Sequence, residues 1–241
     1  MILIRSILFF ILLLLNTVFF AIPVFTIGML FPFRQRCQLA NAWGRVSLWL
    51  LKITCNLKHE IEGWQNLPEH SAIIMAKHQS AWETIAMRGL FPPEQAWILK
   101  RELMWIPLFG WALAAVGSIS INRSSGRAAM RQVIAKGTEK LQKGRLVMIF
   151  PEGTRVAPGE RKRYGMGGAI LAEKSGYPII PVAHNAGVFW RRRGVKKHPG
   201  TIQMVIGEPI DPKGKSSNEI IAEVEEWIES TVAGLPQGKK D

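Results

Sequence analysis

The segment 72–84 reads AIIMAKHQSAWET, and it decides both the fold class and where to look for a reactive site. Its first half is an uninterrupted apolar run, which is typical of a short strand buried on both faces of a sheet. Its second half turns polar and carries a histidine, His78, and a carboxylate, Glu83, five positions apart. This change predicts a strand that ends just before His78 and gives way to a turn or a helix start.

A second segment has the same arrangement. Residues 146–155 read LVMIFPEGTR: an apolar run, then Pro and Gly, which bend the chain, then Thr and Arg, which can bind an oxyanion. Beyond residue 58, short apolar runs alternate with polar helical stretches, which predicts an α/β fold with a mixed sheet and flanking helices. The predicted strands are 71–76, 96–99, 118–122, 146–150, 178–183 and 202–206. The clearest predicted helices are Arg127–Lys143 and 218–233, the latter behind a capping box at Ser216 and Glu219.

Three polar segments follow three of the predicted strands directly. His78 follows one strand by two residues, Arg123 follows another by one, and residues 152–155 follow a third. In open α/β sheets, ligands gather beyond the carboxyl ends of the strands. We therefore expect these segments to meet at one edge of the sheet and to form the active site.

His78 and Glu83 suit a base and the residue that orients it. Histidine is the side chain whose ordinary pKa lies near neutral pH. Glu83 can accept a hydrogen bond from one imidazole nitrogen, while the other nitrogen takes a proton from a substrate hydroxyl. The sequence has no G-x-S-x-G nucleophile motif, so direct attack by a substrate hydroxyl is preferred to a covalent intermediate on the protein. The alternative for His78 is a purely structural histidine.

Arg123 and Arg155 are the predicted phosphate ligands. A guanidinium group offers a bidentate fork that matches a phosphate, and both arginines stand at the expected catalytic edge. The alternative is that they form surface salt bridges. A further histidine, His184, follows the apolar segment 178–183 and can line the same site.

In the segments 78–83 and 150–155, the chain resembles the glycerolipid acyltransferases that acylate 1-acyl-glycerol-3-phosphate. Glu83 stands where that family usually has Asp, which keeps the carboxylate and adds one methylene. The resemblance covers about residues 70 to 210. Four sequence blocks of the family are matched in order: H-x4-D at 78–83, a second block at 117–123, F-P-E-G-T-R at 150–155 and an apolar-Pro block at 180–182.

The resemblance implies transfer of a fatty acyl group from an acyl thioester to the 2-hydroxyl of lysophosphatidic acid, giving phosphatidic acid. The thioester can be carried by coenzyme A or by acyl carrier protein, and no other cofactor and no metal are expected. The resemblance also implies that Glu152 takes part in substrate binding and that Lys100 helps to stabilise the oxyanion of the tetrahedral intermediate. Gly153 and Thr154 would present backbone and hydroxyl donors.

The N-terminal residues predict a membrane anchor. From Ser6 to Phe33 there is no charged side chain, and Arg5 and Arg34 bracket this run. At about 1.5 Å per helical residue, the run is longer than a hydrocarbon core of about 30 Å. A cleaved signal peptide is the alternative, but the run is too long for one and lacks an obvious cleavage site.

Residues 38–57 predict an amphipathic helix, either at the bilayer surface or packed on the domain. With the first helix it can form a hairpin that turns near Pro32 and either spans or re-enters the membrane. The predicted organisation is anchoring helices at 1–57, an α/β acyltransferase domain at 58–235 and a polar tail at 236–241. The predicted apolar face carries Leu39, Ala42, Trp43, Val46, Leu50, Ile53 and Leu57, and the polar face carries Asn41, Arg45, Lys52 and Asn56.

The formal net charge of +13 predicts attraction to anionic partners. The apolar N-terminus favours anionic membrane lipid over nucleic acid as that partner. Residues 155–200 hold ten Lys and Arg against two Glu, and they can face anionic lipid or an acidic carrier protein, or form an ordinary solvated surface. Cys37 and Cys55 have no CxxC spacing, so free thiols in a reducing compartment are expected. We accordingly expect a membrane-bound protein whose catalytic domain lies on the cytoplasmic side, with a bacterial inner membrane as the expected location.

Two alternatives remain open from the sequence. One is an acyltransferase of the same fold that uses another lysolipid or an amino-lipid acceptor. The other is a non-catalytic basic membrane protein that binds anionic lipid or nucleic acid. The intact His-carboxylate pair speaks against the second alternative.

Overall fold

The computed structural model describes residues 1–122 and 125–236, and within them the chain forms one mixed sheet flanked by helices. The strands are β1 Leu57–Glu62, β2 Ile73–Ala76, β3 Gln95–Lys100, β4 Ile119–Ile121, β5 Leu146–Ile149, β6 Ile179–His184 and β7 Gly200–Ile206. The α-helices are α1 Ile2–Phe25, α2 Phe33–Cys55, α3 Trp82–Leu90, α4 Phe109–Ala115, α5 Arg127–Gln142, α6 Gly167–Ser175, α7 Ala186–Phe189 and α8 Ser217–Gly234, with short 3₁₀ turns at 27–30, 64–66 and 101–105.

The strand order is β1-β7-β6-β2-β5-β3-β4. Neighbouring strands run parallel except β6 and β7, which are antiparallel, so the sheet is mixed, as expected. Every residue of β2 and of β5 is buried, because helices cover both faces of the sheet. The six predicted strands are all present, with ends that differ by at most two residues, and the capping box before α8 forms as predicted.

Strand β1 was not predicted. It pairs with β7 at the edge of the sheet, and the three charged residues at its second, fourth and sixth positions are exposed. The sequence LKHEIE has few apolar residues, so its period-2 pattern is weak. An edge strand tolerates this composition because one of its sides is open to solvent, and charge there discourages pairing with other chains.

Helices α1 and α2 form the expected hairpin, with Pro32 directly before α2. Two details differ from the prediction. The second helix ends at Cys55, where Asn56 adopts a left-handed φ of 51° and leads into β1. Its buried face is also different, because the helix packs against both α1 and α3. Asn41, predicted on the polar face, is buried and donates to the Phe91 carbonyl oxygen at 2.8 Å, whereas Ile53, predicted on the apolar face, is exposed.

The core of the sheet extends into the first 57 residues. Leu48, Leu51 and Leu57 belong to the same buried cluster as Trp82 and Met148. Residue 57 is therefore not a boundary between two separately packed units, and removing residues 1–57 would take away part of the core of the catalytic domain.

The outer face of α1 consists of exposed apolar side chains, among them Phe10, Leu14 and Phe19. The segment Ile2–Leu30 is long and apolar enough to cross a membrane. Its 18-residue apolar window has a mean hydropathy of 2.7, and only 22% of that window is buried in the protein. A core helix of a soluble protein would be mostly covered by protein. The exposed apolar face therefore supports membrane association through α1.

Close packing of α2 on α3 depends on two glycines and gives a test of the fold. A Cβ placed on Gly44 would lie 2.5 Å from the Cα of Gly89, so we expect Gly44→Ala to push the helices apart and to lower the free energy of unfolding by about 2 kcal/mol. Gly234→Ala is the control, because its Cβ would meet open space. Thermal unfolding in detergent measures both variants, and equal midpoints for Gly44→Ala and the wild type would contradict this packing.

Candidate active site

His78 lies two residues beyond the end of β2, and its orientation comes from the first turn of α3. The Nδ1 atom of His78 is 2.8 Å from Oε1 of Glu83. A carboxylate oxygen can only accept a hydrogen bond, so Nδ1 carries the proton and Nε2 has a free lone pair. The same Oε1 accepts from the backbone N–H of Gln79 at 2.9 Å and of Ser80 at 2.8 Å. Glu83 therefore fixes both the histidine ring and the turn that carries it.

Glu83 is fully buried and yet favours its ionised form. Burial alone would raise the pKa of the carboxyl group. The hydrogen bonds from the His78 ring and the Ser80 N–H outweigh burial, and the pKa is lowered. A carboxylate that stays ionised near neutral pH can stabilise the positive charge that His78 gains when it takes a proton.

His184 lies behind the pair and does not line the cavity described below. Its Nε2 donates to the Lys77 carbonyl oxygen at 2.8 Å, and its Nδ1 accepts from the Ala186 N–H at 3.2 Å. Burial lowers the pKa of His184, which keeps the ring neutral. The side chain is thus a buried support, 3.8 Å from Oε2 of Glu83.

Phe150 packs face to face on the His78 ring. The ring centroids are 4.0 Å apart and the planes are inclined by 11°. Phe150 directly follows β5, the strand next to β2. The predicted meeting of the two sequence segments at one sheet edge is therefore observed, and the contact holds the plane of the imidazole.

Glu152 takes a different position from the one that the sequence suggested. It is buried and absent from the cavity lining, so it does not face the substrate space. Its Oε2 accepts from the backbone N–H of His78 at 2.6 Å, and its Oε1 forms an ion pair with Nζ of Lys77 at 2.7 Å. Burial raises the pKa of Glu152 to about 7, against the opposing effect of Lys77. Glu152 thus supports the backbone of His78 from behind.

Lys77 and Glu229 were missed by sequence reasoning. Lys77 is 1% exposed, and its Nζ is 2.6 Å from Oε1 of Glu229 on α8. Tyr164 donates to the same Oε1 at 2.8 Å. Ordinary composition rules place a Lys and a helical Glu at the surface. No local signal in the sequence pairs residues that are 152 positions apart.

A cavity of about 590 Å³ opens beside His78. Four of the predicted site residues line it with His78, namely Lys100, Gly153, Thr154 and Arg155. Nε of Arg155 is buried and has no hydrogen-bond partner within the described part of the chain, whereas Lys100 lies 3.5 Å from the exposed carboxylate of Glu102. The predicted ligand Arg123 lies outside the described residues. Away from this polar end the wall is mostly apolar and includes Phe20, Val24, Trp43, Leu103, Leu113 and Val116.

Comparison with known proteins agrees with this geometry. The sequence profile of the Acyltransferase family matches residues 58–185. Over 236 residues the chain is 40% identical to the 1-acyl-sn-glycerol-3-phosphate acyltransferase of Pseudomonas aeruginosa, which covers 96% of this chain and 91% of that protein. The chain belongs to the acyltransferase family.

Two further relatives of this acyltransferase differ in how much of the chain they match. A 1-acyl-sn-glycerol-3-phosphate acyltransferase of Saccharomyces cerevisiae is 31% identical over 136 residues, which is 55% of this chain and 45% of that protein. The crystal structure of the 1-acyl-sn-glycerophosphate acyltransferase PlsC of Thermotoga maritima aligns with a TM-score of 0.81 at 25% identity, over 100% of this chain and 98% of that chain. The structural likeness therefore includes the N-terminal helices of this acyltransferase.

Two substitutions of Glu83 test whether His78 needs a carboxylate beside it. We expect Glu83→Gln to lower kcat severely, by about 10²-fold or more, because a neutral amide cannot stabilise a protonated imidazole. Glu83→Asp should keep most of the activity, since it restores the residue that the family usually has. Steady-state kinetics of both variants measure this, and full activity of the Gln variant would exclude the orienting role.

Glu152 should give stability a distinctive dependence on pH. Its pKa rises from an ordinary value of 4.5 to about 7 on folding, so the folded chain holds this proton more tightly. The stability that comes from this tighter proton binding is fully present below pH 4.5, and it is lost as the pH rises through about 7. Relative to Glu152→Gln, the free energy of unfolding of the wild type should fall by about 1.4 kcal/mol for each pH unit between the two pKa values. Chemical unfolding at a series of pH values measures the difference, and parallel curves would contradict the assignment.

Proposed function

We propose that this acyltransferase moves a fatty acyl group from an acyl thioester to the 2-hydroxyl of 1-acyl-sn-glycerol-3-phosphate, giving phosphatidic acid. The observation that carries the proposal is that His78 and Arg155 line one cavity whose remaining wall is mostly apolar. A base, a cation and an apolar channel correspond to the hydroxyl, the phosphate and the acyl chain of this reaction. The names of the relatives support the same acceptor.

The chemistry then follows from the arrangement of His78. Its Nε2 takes the proton of the acceptor 2-hydroxyl as the oxygen attacks the thioester carbonyl carbon. Glu83, bound at Nδ1, stabilises the imidazolium that forms. When the tetrahedral intermediate collapses, the C–S bond breaks, and His78 returns the proton to the departing thiolate. No covalent acyl-enzyme is required.

Arg155, with Arg123, is proposed to hold the phosphate of the acceptor. Its Nε is buried and has no hydrogen-bond partner in the described ranges 1–122 and 125–236. This suits a ligand, because a buried charged donor gains most from a charge-assisted hydrogen bond. Lys100 also lines the cavity and is proposed to stabilise the oxyanion of the intermediate. Gly153 and Thr154 add backbone and hydroxyl donors at the same end.

The apolar end of the cavity is proposed to take the acyl chain. Phe20 and Val24 on α1 and Trp43 on α2 belong to its wall, and α1 also carries the exposed apolar face. A lipid acceptor could therefore enter from the bilayer without crossing water. We place the catalytic domain on the cytoplasmic side of a bacterial inner membrane, where coenzyme A and carrier-protein thioesters are both candidate donors.

A panel of acceptors tests the proposal. Purified protein is given one labelled acyl thioester and, in separate reactions, lysophosphatidate, glycerol-3-phosphate or monoacylglycerol. We expect transfer to lysophosphatidate only, and we expect His78→Ala to lower kcat by about 10²–10⁴-fold, because no other described side chain is placed to act as the base. His70→Ala is the matched control, since His70 is exposed, and it should be fully active. Equal transfer to monoacylglycerol would reject the role of the phosphate, and an active, folded His78→Ala would reject the mechanism.

A further inference from the structure

A tight turn of arginines stands at the polar end of the cavity. The Gly194 N–H donates to the Arg191 carbonyl oxygen at 3.0 Å, which closes a β-turn over residues 191–194, the arginine turn. Its two central residues, Arg192 and Arg193, both line the cavity with His78, whereas the flanking Arg191 does not. None of the four sequence blocks includes this turn.

The backbone at Arg193 is unusual for an arginine. Its φ of 60° lies in the left-handed region, where a turn usually has Gly or Asn at this position. A glycine is in fact the next residue in the chain. A residue with a side chain carries a conformational cost here, and such strain often occurs at functional sites. In this conformation Arg193 is one of the residues that line the cavity.

The arginine turn is firmly held by its surroundings. Nη1 of Arg192 donates to the Arg155 carbonyl oxygen at 2.7 Å, which joins the turn to the loop that carries the proposed phosphate ligand. After the turn, the Lys197 N–H donates to Oγ of Ser6 on α1 at 2.9 Å. Nζ of Lys197 lies 4.8 Å above the Trp190 ring, which packs against α1. The turn is thus held by Arg155 through Arg192, and the chain on either side of it is held by α1.

Cationic side chains dominate the polar end of the cavity, and of these Lys100 has a carboxylate beside it, that of Glu102. Among the described residues that line the cavity there is no Asp or Glu. Nε of Arg155 is buried and has no hydrogen-bond partner among the described residues. Arg155, Arg192 and Arg193 thus line a cavity whose described lining includes no carboxylate, and their planar guanidinium forks match phosphate oxygens.

We propose that Arg192 and Arg193 form a second phosphate-binding element of this site, beside Arg155. The proposal rests on the function proposed above and extends it to residues outside the recognised blocks. The bound group is a phosphate that belongs either to the lysophosphatidate acceptor or to the coenzyme A or phosphopantetheine part of the donor. The two sources predict different kinetic changes.

Arg193→Gly is the decisive variant, because it removes the guanidinium group and relieves the backbone. We expect its thermal midpoint to equal or exceed that of the wild type, while the KM for one phosphate-bearing substrate rises about tenfold with little change in kcat. A rise for lysophosphatidate alone identifies the acceptor phosphate, and a rise for the thioester alone identifies the donor. Arg193→Asn, which also tolerates the left-handed region, should behave in the same way.

Arg191→Ala is the matched control, since it removes a charge from the same turn but not from the cavity. It should leave both KM values unchanged. If the KM values for Arg193→Gly equal those of the wild type, or if Arg191→Ala raises them as much, the proposal is wrong.

A binding measurement keeps this test independent of the proposed function. If the wild type transfers no acyl group to any acceptor, the proposed function fails, but the phosphate site can still be judged. Inorganic phosphate should raise the thermal midpoint of the wild type and of Arg191→Ala above the value in potassium chloride of equal ionic strength. It should raise the midpoint of Arg193→Gly less. Equal rises in all three proteins, or no rise in the wild type, would overturn the proposal.

Discussion

The active site depends on a single buried oxygen atom, Oε1 of Glu83. Three N–H donors point at it: the His78 ring, the Gln79 backbone and the Ser80 backbone. A fully buried carboxylate is costly unless such donors compensate it. The compensation ties the histidine tautomer, the turn after β2 and the start of α3 to one point. Any change that removes this charge therefore disturbs the base and its backbone together.

Behind this point lies a second buried ionic group, which links the catalytic segment to the C-terminal helix. Glu152 binds the His78 backbone N–H and Lys77, and Lys77 binds Glu229 on α8. A lysine so deeply buried is retained only with well-placed partners. His78 is accordingly held by a carboxyl group at its ring, a second carboxyl group at its backbone and the Phe150 ring on its face. Such support suits a catalyst that must not reorganise during proton transfer.

The N-terminal helices α1 and α2 share one core with the sheet. Leu48 and Leu51 of α2 pack with the residues of the sheet, and Phe9 of α1 packs on Trp190. The same helices give the cavity part of its apolar wall. Helix α1, which carries the exposed apolar face, is thus also part of the cavity wall.

Local pattern alone determined a large part of this structure. Buried strands read as apolar runs, and parallel strands bring their carboxyl ends to one edge, so the positions of His78, Glu83 and the 150–155 loop were predictable. The buried face of α2, the support role of Glu152, the Lys77–Glu229 pair and the arginine turn were decided only by the tertiary structure. Each of these depends on which distant elements pack together: the Lys77–Glu229 pair joins residues 152 positions apart, and α2 buries Asn41 because α3 covers it. Periodicity reports whether a side chain is apolar, but the partners of a buried charge are set by contacts that form only when the chain has folded.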